Sequence, residues 1–426
     1  MPGASGSASP AWLGDQVPGC ALRDFVTIIY LRSSRTHPST SMSYSTLPVE
    51  LWLLVFRWAT LSSSTLSLCT TEHVPFQAGV LDGLDKDAVA VKRTLVRVCK
   101  LWRELTRDLL YEDITIRDVL AVQNALHTNG EESYKKVRRA CLPYTSCTPY
   151  NADDLTVLAA VLHSCPRLEV LCRPSNMRAE SMTFDYPAVD CPPLDSLKRL
   201  DWWHINEAAR SGGVNTLVEV LRAAPQLEYL SLGGDLWLNL IERGRLELPA
   251  LTTLRIRRMN LLFLQQVSRW TMPSLRNVVI DVFSTPRLLE PLFVSYGEQI
   301  WTVELGRNLK FYVLDVVSHI IANFSALEEL GYYLFFTAVP QVPQEPHTSL
   351  HTLRWHAASN EFFSVKDTVF WQHLAEHVAI FSRSFFPSLK RIVMHGPWDV
   401  VIEDERFLPL ARKLGERGVT VERCYG

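Results

Sequence analysis

A short signature, Leu-x-x-Leu-x-apolar, recurs nine times beyond residue 150 and leaves few folds open to the chain. It occurs as Leu168-Glu-Val-Leu171, Leu197-Lys-Arg-Leu-Asp-Trp202, Leu227-Glu-Tyr-Leu-Ser-Leu232, Leu251-Thr-Thr-Leu-Arg-Ile256 and Leu275-Arg-Asn-Val-Val-Ile280. It continues as Ile300-Trp-Thr-Val-Glu-Leu305, Leu327-Glu-Glu-Leu-Gly-Tyr332, Leu350-His-Thr-Leu-Arg-Trp355 and Leu389-Lys-Arg-Ile-Val-Met394. Successive first positions are 29, 30, 24, 24, 25, 27, 23 and 39 residues apart, a period that belongs to stacked repeats. Alternate residues of a short strand point to one side, so the second Leu and the apolar residue two positions later fill a shared core while their neighbours face out. Between the signatures, 153–164, 216–223, 260–270, 286–296 and 312–324 carry apolar residues at three-to-four spacing, as helices do. Strand and helix in alternation predict a parallel sheet backed by helices, curved because the helical layer is the wider one.

Signature and period together resemble leucine-rich repeats, which gives an α/β fold class: a leucine-rich-repeat-like solenoid. The asparagine that forms a ladder in regular repeats is absent at most corresponding positions, so the solenoid is an irregular one; the alternative is another α/β fold with Leu-rich strands. Outward strand positions form the candidate binding face: Arg199, Asp201, Tyr229, Ser231, Thr253, Arg255, Arg257, Asn277, Asp281, Thr302, Glu304, Glu329, Thr352, Arg354, His356, Arg391 and His395. Arg199, Tyr229, Arg255, Arg257, Glu304, Arg354 and His356 are the candidates for binding a target protein. Any single one is more readily a solvated side chain than a hot spot, since fewer than a third of contact residues usually matter. Trp202, Trp203, Trp237, Trp270 and Trp355 read mostly as core or cap.

With 43 basic and 45 acidic residues and 47% apolar content among 426 residues, charge gives no reason to expect nucleic acid or an anionic membrane as partner. A protein partner is expected. The nine cysteines are irregularly spaced without a Cys-x-x-Cys pair, which suggests neither a disulfide framework nor a zinc site but reduced thiols in a cytoplasmic or nuclear protein. The apolar run Phe25–Leu31 is far too short to span a bilayer and lacks the features of a signal peptide. Residues 1–43, rich in Ser, Pro, Gly and Thr, read as a disordered extension. Met42 offers an alternative start that would leave residues 1–41 outside the native protein.

Helical signal begins at Pro48, where a first-turn proline costs nothing; Thr46 can cap, and Glu50 suits the positive end of the helix dipole. Leu47, Leu51, Leu54, Val55 and Trp58 fall on one face, a pattern that on a lone helix usually means core. Residues 61–87 break the pattern and read as a loop. One helical stretch then runs from Asp87 to about Leu110, with Val91, Leu95, Val98, Trp102, Leu105 and Leu109 as its stripe.

The Leu47-Pro-Val-Glu-Leu51 start, Phe56 at the end of the first helix and Val98-Cys-Lys-Leu-Trp102-Arg together resemble an F-box. The run Leu109-Leu-Tyr-Glu-Asp-Ile114 resembles the F-box-like proteins of mushroom-forming fungi. The resemblance implies three short helices over 44–115, with a loop insertion at about 61–87 where the family has a few residues, and a solenoid over 116–426. It implies docking to a Skp-type adaptor, and through it to a cullin-RING ligase. Leu47 and Pro48 would be the plug, and Leu51, Val55, Leu95, Val98, Cys99 and Trp102 the rest of the interface or its support. A purely structural helical cap on the repeats is the alternative.

His373-Leu-Ala-Glu-His377 matches a metallohydrolase spacing, but no protease scaffold surrounds it. A phosphate-cradling glycine loop and a Gly-x-Ser-x-Gly elbow are absent from the sequence, Asn323-Phe-Ser325 is a chance glycosylation match, and His347 and His351 lack a third ligand at sensible spacing. No catalytic residue, metal ligand or cofactor is therefore expected. The expected function is the substrate receptor of an SCF-type ubiquitin ligase, and the alternative is a repeat scaffold that binds a protein without engaging a ligase.

Overall fold

A computed structural model of the chain describes residues 47–60, 70–77, 86–116, 118–142, 152–174, 190–204, 213–234, 246–258, 261–282, 289–358, 360, 363 and 365–424. The extension at 1–43, the alternative start at Met42, the run Phe25–Leu31, the Thr46 cap and Trp237 lie outside the described residues. The chain divides into two compact units, Met1–Thr60 and Leu61–Gly426.

In the first unit, helix α1 spans Val49–Thr60. The Pro48 carbonyl accepts hydrogen bonds from the Leu51 and Trp52 amides at 3.1 and 3.2 Å, so the proline sits where its missing N–H is not needed. Trp52 stacks on Phe56 with ring centroids 5.4 Å apart, and the Thr60 hydroxyl donates to the Phe56 carbonyl at 2.9 Å.

The second unit is built on one twelve-stranded parallel sheet in which every strand lies beside its predecessor in the chain. The strands are β1 (Asp113–Thr115), β2 (Arg139–Cys141), β3 (Val170–Arg173), β4 (Arg199–His204), β5 (Tyr229–Gly234), β6 (Thr253–Ile256), β7 (Asn277–Ile280), β8 (Thr302–Leu305), β9 (Glu329–Tyr333), β10 (Thr352–His356), β11 (Arg391–His395) and β12 (Thr420–Cys424). Its helices are α2 (Lys86–Val98), α3 (Lys100–Tyr111), α4 (Val119–Thr128), α5 (Ala152–His163), α6 (Leu217–Arg222), α7 (Leu261–Val267), α8 (Glu290–Tyr296), α9 (Lys310–Val313), α10 (Val316–Asn323), α11 (Thr368–Phe381), α12 (Asp399–Ile402) and α13 (Phe407–Gly415). This is an α/β architecture with solenoid-like connectivity. Among the described residues no helix is long and apolar enough to cross a membrane.

All nine signatures become strands, and the strand register shows why they are spaced as they are. The second Leu of each signature falls in one row across the sheet, from Leu171 through Leu200, Leu230, Leu254, Val278, Val303, Leu330 and Leu353 to Ile392. The apolar position two residues on forms a parallel row from Trp202 to Met394. Both rows join the buried faces of α5 to α8, α10 and α11 in a single core. The first Leu closes a turn just before its strand: the amides of Leu168, Leu227, Leu251, Leu275 and Leu389 donate to the carbonyls three residues earlier at 3.1–3.3 Å. In each of these turns Pro166, Pro225, Pro249, Pro273 or Pro387 takes the second position, where its fixed φ is favourable. In place of an asparagine ladder, the hydroxyls of Ser196, Ser274 and Ser349 donate to the carbonyls of Pro166, Pro249 and Ser325 in the preceding turn at 2.6–2.8 Å.

Three strands lack the signature. β1 and β2 are three residues long and offer only Ile114 and Ala140 to the core, and β12 offers Val421. The expected single helix over 87–110 is two helices. Cys99 adopts an extended conformation (φ −158°, ψ 173°) and caps α3, its sulfur accepting from the Trp102 amide at 3.5 Å. Asp113 of β1 receives both Lys92 of α2 and Arg139 of β2, so the helix pair is tied to the β1 edge of the sheet. Burial raises the Asp113 carboxyl, but the hydrogen bonds and charges of Arg139 and Lys92 outweigh it and hold its pKa below the ordinary value.

Candidate functional site

On α1, the residues that cover helical spacing on one face are not in a core. Leu47, Pro48, Leu51, Leu54, Val55 and Trp58 are all exposed, Trp58 by 62%, whereas Phe56 and Thr60 are the buried residues of this helix. Isolated exposed apolar residues are ordinary; here several share one face of a short helix. At the corner between α2 and α3, Leu95 is buried, Trp102 is half-buried, and Val98 and Cys99 are exposed, beside exposed Leu101. Leu47, Pro48, Leu51 and Val55 therefore belong to the first unit, and Leu95, Val98, Cys99 and Trp102 to the second.

The seven target-binding candidates all lie on the helix-free side of the sheet. Register places Arg199, Tyr229 and Thr253 in one outward row, and Asp201, Ser231, Arg255, Glu304, Gly331 and Arg354 in the next. A third row brings Tyr333, His356 and His395 side by side. This face is covered where the sequence predicts an open one: Arg199, Tyr229, Arg255, Arg257 and Glu304 are buried, and Arg354 and His356 are half-buried. Two causes account for the difference.

The first cause is pairing among the outward side chains, along a strand and between neighbouring ones. Arg199 donates through Nε to Asp201 at 2.7 Å while its guanidinium lies 4.0 Å from the centre of the Tyr229 ring. Arg255 makes a two-point contact with Asp281 at 2.7 and 2.8 Å, and Arg354 donates to Glu329 at 2.8 Å. Burial opposes the charges of Arg199 and Arg255, and their carboxylate partners more than offset it, so both guanidinium pKa values stand above the ordinary one. Arg257 lies 5.4 Å from the Trp203 ring centre.

The second cause is a strap from the same unit, residues 70–77, taken from the stretch that reads as a plain loop. The Arg199 Nη1 donates to the Thr70 carbonyl at 2.9 Å, and the Thr71 hydroxyl to Glu228 at 2.5 Å. Glu304 accepts from the Phe76 amide at 2.7 Å and pairs with His73 Nε2 at 3.2 Å. Arg255 Nη1 donates to the Gln77 carbonyl at 2.6 Å. The Phe76 ring rests edge-on against Tyr333, His356 and His395, at centroid distances of 5.2, 5.1 and 4.9 Å. A Cβ on Gly331 would stand 3.5 Å from the tip of that ring, in ordinary contact with it, so Gly331 lies directly against Phe76 and a branched side chain there would reach into the ring's place. Burial, and secondarily the neighbouring His395, lower the His356 pKa from 6.5 to about 4; its Nδ1 accepts from the Ala358 amide at 3.0 Å.

The His-x-x-Glu-His motif lies on α11 with its two histidines turned into the core. His377 Nδ1 is 3.0 Å from the Tyr332 hydroxyl and His373 Nε2 is 3.0 Å from the Leu334 carbonyl, while Glu376 is exposed and accepts from Gln372. Burial lowers the pKa of both imidazoles. The motif thus divides between core and surface, with its carboxylate away from its imidazoles. His347 joins two turns, bonding the Phe324 carbonyl and the Leu350 amide at 2.9 and 3.2 Å, and His351 pairs with Glu328 at 3.2 Å. Trp202, Trp270 and Trp355 are buried in the core and Trp203 is half-buried on the outward face. Among the described residues no group of three or more His, Cys, Asp or Glu is placed to hold a metal ion.

The strap and its aromatic seat are the parts of this site that sequence reasoning missed. The one available signal was His73-Val-Pro-Phe76, a compact aromatic-bearing run inside an otherwise Ser- and Gly-interrupted stretch. No protein-family model matches the chain, and no curated protein matches it.

Proposed function

We propose that the protein is the substrate-receptor subunit of an SCF-type cullin-RING ubiquitin ligase. In this reading an F-box docks a Skp-type adaptor, and the repeat domain, of leucine-rich-repeat type, holds a target protein. The observation that carries it is the exposed apolar face of α1 directly behind Leu47-Pro48. An exposed amphipathic helix gains stability by laying that face on a partner, at roughly 25 cal/mol for each Å² of apolar surface removed from water. Leu51 and Val55 would complete the contact on α1, with Val98, Cys99 and Trp102 contributing at the α2–α3 corner and Leu95 supporting them from below. The chain itself would carry out no chemistry and need no cofactor; ligation would belong to other subunits, in the cytoplasm or nucleus.

A second reading is favoured by the ion pairs of Lys92 and Arg139 with Asp113. There α2 and α3 serve only as a cap on the β1 edge, and the protein is a ligase-independent interaction scaffold. Co-purification with a Skp-type adaptor separates the two. Retention by the intact chain, lost in the Leu47→Ala, Pro48→Ala double variant, is the receptor's result; no retention by the intact chain is the scaffold's.

A further inference from the structure

We propose that the outward face of β4 to β11 is a binding site for a peptide that presents an aromatic residue in a tight turn, and that residues 70–77 are a built-in occupant which an external segment must displace. The proposal rests on reading this face as the target-binding surface, and is independent of adaptor docking.

Three features of the strap are those of a bound ligand. Its main chain is what the face grips: Arg199 takes the Thr70 carbonyl, Arg255 the Gln77 carbonyl and Glu304 the Phe76 amide. Contacts of that kind recognise any peptide that presents a carbonyl or amide at the same points. Specificity comes from two side chains, a donor at His73 for Glu304 and a ring at Phe76 for the seat made by Gly331, Tyr333, His356 and His395. Finally, Phe76 has φ of +57°, in the left-handed region that bulky residues avoid. A turn closed by the Gln77 amide on the Val74 carbonyl at 3.3 Å, with Pro75 and Phe76 as its central residues, sets that φ, and the face holds the Phe76 amide and ring so presented. Glu72 and Val74 of the strap are exposed.

Two of the groups that grip the strap are also held from the sheet itself. Arg199 and Arg255 keep their carboxylates Asp201 and Asp281, and each has one further N–H aimed at the strap. Only Glu304 depends on the strap for the amide and imidazole that satisfy it. A competing ligand must therefore bring the same pair to Glu304. This commits the partner to a protein segment in which a His, Lys or Arg precedes, by three positions, an aromatic residue carried in a turn.

The test uses the full chain and a fluorescent peptide with the sequence of residues 70–77, followed by anisotropy. The Phe76→Ala variant, with its seat emptied, is expected to bind the peptide at least ten-fold more tightly than the unaltered protein. Binding should disappear when the peptide carries Ala at the position of Phe76, or when Gly331→Val fills the seat in the Phe76→Ala background. Equal binding to the unaltered protein and the variant, or binding to neither, overturns the proposal. If Phe76→Ala fails to fold, as judged by circular dichroism, Phe76→Leu takes its place with the same outcomes. Adaptor co-purification reads the other proposal separately, so either can fail while the other stands.

Discussion

On the helix-facing side of the sheet, Leu200, Leu230, Leu254 and Leu330 are fully buried among aliphatic neighbours. One residue further along the same strands, Asp201, Ser231, Arg255 and Gly331 point the other way and are covered by paired charges and by the strap. The first side is held by non-directional burial, which tolerates a loss of shape but not of volume. On the second, ion pairs out of water hold only while each charge keeps its partner, and removing one partner costs more than the pair contributes. The contrast teaches that burial alone does not distinguish a core from a binding face. What distinguishes the two sides here is whether the covering groups belong to the repeats themselves or to a separate segment of the chain.

Substitutions on the two sides should break in different ways. Leu330→Ala removes a fully buried side chain at the centre of the inner row and is expected to cost about 3–4 kcal/mol in urea unfolding. A loss below about 1 kcal/mol would mean that the inner row is not the core described. Asp201→Asn leaves Arg199 buried without its carboxylate and should cost about 2–3 kcal/mol. Here the double variant Arg199→Met, Asp201→Leu should recover most of that loss. Recovery is the signature of paired charges, because a second lesion in an apolar core would add to the first.

Acidification sharpens the same contrast. His356 charges near 6.5 in the unfolded chain but only near about 4 in the folded one, where burial and His395 oppose its proton. The unfolded state therefore binds more protons between those values, and stability falls as pH is lowered through that window. The melting temperature should drop from pH 7 to pH 5, and drop less in His356→Phe; an unchanged difference would remove His356 from the account.

Much of this was readable beforehand because the inner rows obey a strict period of two, and Leu230 or Leu353 announces itself within six residues. Every outward residue named from the sequence falls on the outward side for the same reason. β1 and β2 escaped notice because three-residue strands give a single inward position each, and neither Asp113-Ile-Thr115 nor Arg139-Ala-Cys141 carries the leading Leu. The break at Cys99 was hidden because apolar spacing continues through it, and only a sulfur accepting an amide marks the cap. The docking of the strap could not be read: its partners lie 129 to 319 residues away, and although His73-Val-Pro-Phe76 stands out as a run, no local pattern in Thr70–Gln77 points to Glu304 or Arg199. Local periodicity fixes which way a side chain faces, whereas what covers it is decided by distant chain.

The exposed face of α1 is a third case, since Leu47 and Pro48 are neither packed in the core nor paired by charge but exposed. Their replacement by Ala should change unfolding free energy by less than about 0.5 kcal/mol. Titration of a purified Skp-type adaptor into the full chain tests the central proposal directly. The account predicts one-to-one binding by the unaltered protein and at least a hundred-fold weakening in the Leu47→Ala, Pro48→Ala variant at unchanged stability. No binding by the unaltered protein, or equal binding by the two, would contradict it.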